Sequence, residues 1–195
     1  MDWWNDATGT WTMPLSNGDN SATIAAAKDQ TVTALVNRSF TKDDGWYTLA
    51  LPFNMSASLV GEAYQLSGLV RKTSEYVEVN LEKTSTILAG QPYLILPSEN
   101  KSYLLVENAT IDNTAGTSIS KSISGLSVAM QAIINGTGDL TSGEYWVGNG
   151  GMLYNTSTPK RGLRVLFNIT SSSGIAPRMR VVAQEDEATG VEDIT

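Results

Sequence analysis

Apolar and polar side chains alternate along most of this chain, the period of an extended strand with one face buried. The stretch that organises the reading is 44–54. After the turn signal Asp44-Gly45, Tyr47, Leu49, Leu51 and Phe53 fall on one side, and Trp46, Thr48 and Ala50 on the other. Tyr47 then faces the core, and Trp46 is expected to be buried against a second sheet. Pro52 has no N–H, so the strand ends, bulges or lies at a sheet edge there. Val77, Val79 and Leu81 alternate with Glu78, Asn80 and Glu82, which predicts a strand wet on one face. With 64–71 before it and a turn at 72–75, it makes a hairpin. Tyr93-Leu94-Ile95-Leu96 is continuously apolar, as in a central strand buried on both faces. The segment 103–106 is expected to return as its partner after a turn at 98–101.

The rest of the chain repeats the theme. Residues 31–36 read as a strand, and 119–134 changes parity at Gly125, which predicts a bulge or a break. Gly148-Asn149-Gly150-Gly151 has the composition of a tight hairpin between 144–148 and 152–154. Leu163, Val165, Phe167 and Ile169 line one face of a further strand. The last strand turns Met179, Val181 and Ala183 inward and Arg178 and Arg180 outward. Helix is confined to 19–28, Ala-rich with Asp19 or Ser21 as cap, and to one turn at 56–60 capped by Ser56. About ten short strands divided by turns predict an all-β fold, a two-sheet antiparallel β-sandwich of jelly-roll or Ig-like type. At most one or two short helical turns accompany it. Residues 1–30 are expected as a lead-in packed on the sandwich, 31–184 as the β-sandwich domain and 185–195 as an acidic, frayed tail.

Composition narrows the chemistry. The hydrophobic fraction, 41% of 195 residues, suffices for a real core, and the 17% charged is low, so Ser and Thr carry the wet faces of the strands. A net charge of −7 opposes non-specific attraction to phosphate backbones, and nucleic acid is not expected as a partner. No apolar run reaches the length of a membrane span, so no direct membrane insertion is expected. The N-terminus, Met1-Asp2-Trp3-Trp4, has no signal-peptide pattern, and the chain reads as an excised piece of a longer one. Cysteine and histidine are both absent, which excludes Ser-His-Asp and Cys-His nucleophile systems and every imidazole or thiolate metal site.

Catalysis would therefore fall to carboxylates, Tyr, Lys or Ser. Glu78 and Glu82 share one strand face but lie about 13 Å apart along it, too far for either glycosidase geometry. Ser98-Glu99-Asn100-Lys101 and Ser118-Ile119-Ser120-Lys121 match Ser-x-x-Lys, a motif that acts on a helix; here they fall in a turn and a strand. Asn17-Gly18-Asp19-Asn20, or Asp2 with Asn5 and Asp6, lack the regular spacing of a calcium loop, and no cofactor or metal is expected. The Asn-x-Ser/Thr triplets at Asn37, Asn54, Asn108, Asn135, Asn155 and Asn168 follow from composition. What remains is binding. Trp3, Trp4, Trp11 and Trp146 are the candidate ligand-binding residues, because an indole offers an apolar face on which a sugar ring stacks.

Three segments, Trp46-Tyr47-Thr48-Leu49-Ala50-Leu51-Pro52-Phe53, Ala89-Gly90-Gln91-Pro92-Tyr93-Leu94-Ile95 and Ala188-Thr189-Gly190-Val191-Glu192, carry a resemblance. In this order they resemble parts of a poorly characterised β-sandwich region near the C-terminus of large exported proteins of Bacteroides-type bacteria. The likeness covers roughly residues 40–195. Ala50 stands where such sequences often carry another small residue such as Cys, and Gln91 where Thr is common; neither departure disturbs the strands. The resemblance implies an extracellular or cell-surface location and brings no catalytic or ligand residues. The expectation is thus a non-catalytic accessory or adhesion-type module, with a polysaccharide or a surface protein as partner. A carbohydrate-binding module using exposed Trp and Tyr is the alternative, and a carboxylate-dependent glycoside hydrolase a remote one.

Overall fold

The computed structural model describes residues 4–5, 10–113 and 115–184, with side chains from Thr12 onward. Most of the alternating stretches form strands. In chain order these are β1 (Trp4–Asn5), β2 (Thr10–Leu15), β3 (Thr31–Val36), β4 (Tyr47–Leu49), β5 (Met55–Ser56), β6 (Gly61–Thr73), β7 (Tyr76–Thr84) and β8 (Thr86–Ile87). Then follow β9 (Tyr93–Pro97), β10 (Leu104–Thr110), β11 (Ser118–Ile123), β12 (Leu126–Ile133), β13 (Glu144–Val147), β14 (Leu153–Tyr154), β15 (Arg164–Ser171) and β16 (Arg178–Ala183). One helix, α1 (Ser21–Ala27), and a 3-10 turn at Ala57–Leu59 are the helical elements of the described residues.

The fold is all-β and sandwich-like. Its strands form three sheets, ordered β1-β2-β3-β10, β11-β12-β15-β13-β14 and β16-β7-β6-β9-β4, with β5-β8 as a separate ribbon. The second and third sheets pack together, with β11 against β6, β15 against β4 and β14 against β16. A single apolar cluster joins Met13 and Val36 of the first sheet, Val128 and Phe167 of the second, and Leu81 and Ile95 of the third. The periodicity is visible in burial: on β7, Val77, Val79 and Leu81 are buried while Glu78 and Asn80 are half-buried and Glu82 is exposed. On β12 every second residue from Leu126 to Ala132 is buried.

Most pairings are antiparallel, but β2 runs parallel to β3 and β16 parallel to β7. A parallel neighbour needs a crossover, and α1 supplies it between β2 and β3 by burying Ile24 and Ala27. Its N-cap is Asn20, one residue after Asp19; the Asp19 carboxylate accepts the Ser21 N–H at 2.9 Å. The turn after β5 is capped by Ser56, whose Oγ accepts the Ser58 N–H. β4 is an edge strand that stops at Leu49, ahead of Pro52, although the chain stays buried through Phe53. The parity change at Gly125 is a hairpin turn between β11 and β12, with Gly125 at φ 76°.

One expected pairing does not form. The segment 103–106 was expected beside β9, but β10 pairs with β3, with Leu104 opposite Val36 and Val106 opposite Ala34. Both edges of β9 are already taken, by β6 and β4. The reversal is made instead by a two-way backbone bridge between Phe40 and Lys101, each N–H donating at 2.8 Å, which carries the chain into the first sheet. The expected tail at 185–195 lies outside the described residues.

The three sheets are sewn together at their loops. Buried Asn20 accepts the Ser16 N–H at 2.8 Å and donates to the carbonyls of Ser16 and Ile134, while its own N–H donates to Asn135 Oδ1 at 2.9 Å. This stretch, 17–20, was considered as a calcium loop; here its polar atoms serve as a staple. Gly136 donates to Gly18 O and Gly162 to Asn17 O, and neither glycine has room for a Cβ.

A second junction joins the 41–46 turn to the β13–β14 hairpin, where Trp46 N donates to Asn149 O at 2.9 Å. Gly45 permits it: its φ is 100°, and an added Cβ would lie 2.0 Å from the Asn149 carbonyl oxygen. Gly45→Ala is therefore expected to destabilise the protein by at least about 1–3 kcal/mol through backbone strain, with the clash in addition. Urea denaturation reads this directly, and an unchanged midpoint would contradict the close approach.

Candidate functional site

Arg38 follows β3 in the polar run Asn37-Arg38-Ser39, yet it is 7% exposed. Its Nη1 donates to two backbone carbonyls, Thr48 O on β4 and Leu163 O just before β15, the latter at 2.8 Å. Its guanidinium also lies over the Phe40 ring, 5.1 Å from the centroid. Leu163 is held at φ 59°, an unusual conformation for a leucine. That twist leaves its N–H on Ile134 O and its carbonyl shared between Arg38 and the Ala50 N–H. One cation thus links all three sheets.

Arg164, the next residue after Leu163, completes the cluster. It is half-buried, and its Nη1 is sealed from solvent with no hydrogen-bond partner among the described residues. Such an orphaned charged donor costs about 1–3 kcal/mol or more. Burial, then the neighbouring Arg161, lower the Arg164 pKa to about 10. Burial, then the charge of Arg164, pull Arg38 well below the ordinary guanidinium range, and Tyr47 opposes this weakly. The ion pairs made by Glu62, Glu78, Glu99 and Glu144 all use lysines.

Around these arginines lies an open cleft. One lobe, about 410 Å³, is lined by Asn37, Arg38, Trp46, Tyr47, Asn149 and Arg164 among others. The other, about 280 Å³, is lined by Trp146, Tyr154, Thr158, Pro159, Arg161 and Arg164 with Thr48 and Val147. Thr48, Val147 and Arg164 belong to both, so Arg164 stands at their junction. No acidic side chain is among the described residues lining either lobe. A larger groove of about 500 Å³ lies beyond the turns at 74–75 and 124–125. Its arginines are engaged, Arg71 with Ser124 O and Arg178 over the Tyr76 ring.

The walls are braced from outside. Asp44 Oδ2 accepts both the Tyr47 hydroxyl at 3.1 Å and Asn149 Nδ2 at 3.0 Å, fixing the first lobe. Trp46 is half-buried edge-on against Tyr64, with centroids 5.3 Å apart, and Gly151 packs beneath it. Trp146 is half-buried, its Nε1 donating to Thr158 Oγ1 at 3.0 Å, which fixes the indole in the second lobe. Tyr154 is its cross-strand partner on β14 and is 43% exposed. In an antiparallel pair, directly opposite residues share a face.

Of the sequence candidates, Trp146 is thus in the cleft. Trp3 lies outside the described residues, as do the side chains of Trp4 and Trp11. The backbones of these two pair across β1 and β2. The arginines were missed, and so were Trp46 and Tyr154 as lining residues. The only sequence signal for Arg164 was a charge interrupting an apolar run, which reads equally as a wet strand face. Comparisons with known proteins add no relative: no family model, no curated protein and no solved structure matches this chain.

Glu144 anchors the outer wall. It is buried, and its Oε1 accepts the Thr141 N–H at 2.8 Å and hydroxyl at 2.6 Å, while Oε2 pairs with Lys160 at 2.9 Å. Asn155 Nδ2 donates to its backbone carbonyl, so the loop 155–160 is held over Trp146. Burial alone would raise its pKa, but the bonds from Thr141 and Lys160 outweigh it and the net shift is downward. A lowered carboxylate contributes stability that is full above the ordinary glutamate value and is lost as pH falls through the lowered one. Glu144→Gln should cost about 1–3 kcal/mol at neutral pH. The gap from the parent protein should narrow in acid, and denaturation at pH 7 and below pH about 4 checks both halves.

Proposed function

We propose that this chain is a non-catalytic accessory module, of the adhesion type, that holds a saccharide in the Trp146 cleft. The observation carrying this reading is the pairing of Trp146 and Tyr154 on neighbouring strands, lining an open lobe with Thr48, Thr158 and arginines. Aromatic side chains stack on the apolar faces of sugar rings, while hydroxyl and guanidinium donors satisfy the ring substituents. The indole is already fixed by Thr158, which lowers the entropy lost on stacking. The described lining of either lobe offers no pair of carboxyl groups, the usual machinery of glycoside hydrolysis. The carbohydrate-binding reading is thereby favoured over carboxylate-dependent hydrolysis. The three segments resembling an exported Bacteroides-type β-sandwich region support display at the cell surface, where polysaccharide is abundant.

Affinity electrophoresis in gels containing individual polysaccharides tests this. The parent protein is expected to be retarded by at least one polymer, and Trp146→Ala to weaken that retardation about tenfold or more while its far-UV spectrum is unchanged. Free migration of the parent protein through every polymer would overturn the reading. So would undiminished binding by Trp146→Ala.

A further inference from the structure

We propose that the ligand of this cleft is an acidic saccharide, its carboxylate received by Arg164 with help from Arg161. The proposal rests on the saccharide reading of the cleft and names the class of sugar. Three observations carry it, each independent of the tryptophan.

The first is the place of Arg164, whose guanidinium lines both lobes at their junction and has no acidic partner among the described residues that line them. A guanidinium carries five N–H donors, and the part of this one that lines the cleft is where an acceptor brought by a ligand would meet it. The second is the sign of the charge. Arg38, Arg161 and Arg164 gather in the lining without an acidic residue there, in a chain whose net charge is −7. Folding has concentrated cations where none of the described lining residues neutralises them. The third is division of labour. Arg38 is committed to Thr48 O and Leu163 O and holds the sheets together, whereas Arg161 is exposed at the rim.

The surface beside the arginines favours a carboxylate borne on a sugar over a free phosphate. A planar guanidinium matches a carboxylate in two parallel hydrogen bonds. The same fork also fits phosphate, but the described lining holds no lysine and no helix N-terminus to add to a phosphate site. What accompanies the arginines is a sugar-type surface: Trp146 and Tyr154 on one side, Thr48, Asn37 and Asn149 toward the other.

The test is calorimetric titration with oligogalacturonate, with the same oligomers methyl-esterified, and with a sulfated glucan. The expected result is binding to oligogalacturonate at least about tenfold tighter than to the ester, which keeps the sugar and masks the charge. Arg164→Gln should lose about tenfold or more for the acid and little for the ester. Arg161→Gln should lose less, and Arg164→Lys should recover part of the loss. If Arg164→Gln does not fold, judged by its thermal transition, Arg161→Gln carries the test, because its side chain is exposed.

Equal affinity for acid and ester, with both lost in Trp146→Ala, would overturn the acidic-sugar proposal and leave the saccharide reading intact. Preference for the sulfated glucan over the uronate would overturn the choice of carboxylate. No binding to these oligomers or to any neutral polysaccharide would overturn both readings.

Discussion

The structure depends on a buried guanidinium solvated by backbone. Arg38 sits just past β3, and its Nη1 reaches the carbonyls of Thr48, in the third sheet, and Leu163, at the entry to the second. A cation withdrawn from water needs compensation, usually from a carboxylate. Here carbonyl dipoles and the Phe40 ring provide it. Arginine suits the task because its charge is spread over a planar, weakly hydrated group with several donors. Lysine would present the same charge as a compact ammonium ion, more costly to strip of water. The geometry is demanding: Leu163 must sit at φ 59° to keep its carbonyl on Arg38. Around it, Gly136 and Gly162 let three loops approach closer than any side chain permits.

The cleft follows from this joint. Dipoles solvate the charge of Arg38 without cancelling it, so its field extends into the space between β4, β13 and the start of β15. Arg164 and Arg161 add to that field, and burial of Arg164 keeps water from screening it fully. Walls then need rigidity of their own, because like charges push apart. Asp44 supplies it on one side by binding Tyr47 and Asn149 together. Glu144 supplies it on the other through Thr141 and Lys160. Both acids serve as braces outside the lining, where they fix the walls without filling the cationic space.

Local pattern made much of the fold legible. β7 and β12 alternate cleanly, and the turns at Ser56 and Gly125 are written in the residues that form them. What the pattern could not carry was the choice of partner. The segment 103–106 has the right alternation to pair anywhere; that β9 was already flanked by β6 and β4 is a property of the assembled sheet. The site was legible only in part, for the same reason. Trp146 announced itself by residue type. Arg38 stands in a run that reads as a polar turn, and its burial is decided by Leu163, 125 positions away. Asn20 is the same lesson in neutral form: a plausible calcium ligand by composition, it spends its amide on Ser16 and Ile134.

A cationic cleft in an acidic protein raises the question of which charge an approaching ligand meets. At physiological ionic strength, charges more than about 8 Å from an exposed group are largely screened. Acidic residues farther off than that contribute little inside the cleft, whereas Arg164 acts at contact distance and partly out of water, with Arg161 at the exposed rim. The overall negative charge works at longer range, opposing unspecific adsorption of polyanions to the rest of the surface. On the proposed reading, an acidic polymer gains most where a carboxylate enters beside Arg164. Specificity then comes from contrast between a repelling surface and one receptive cleft. The same three arginines on a basic protein would attract polyanions everywhere and select none.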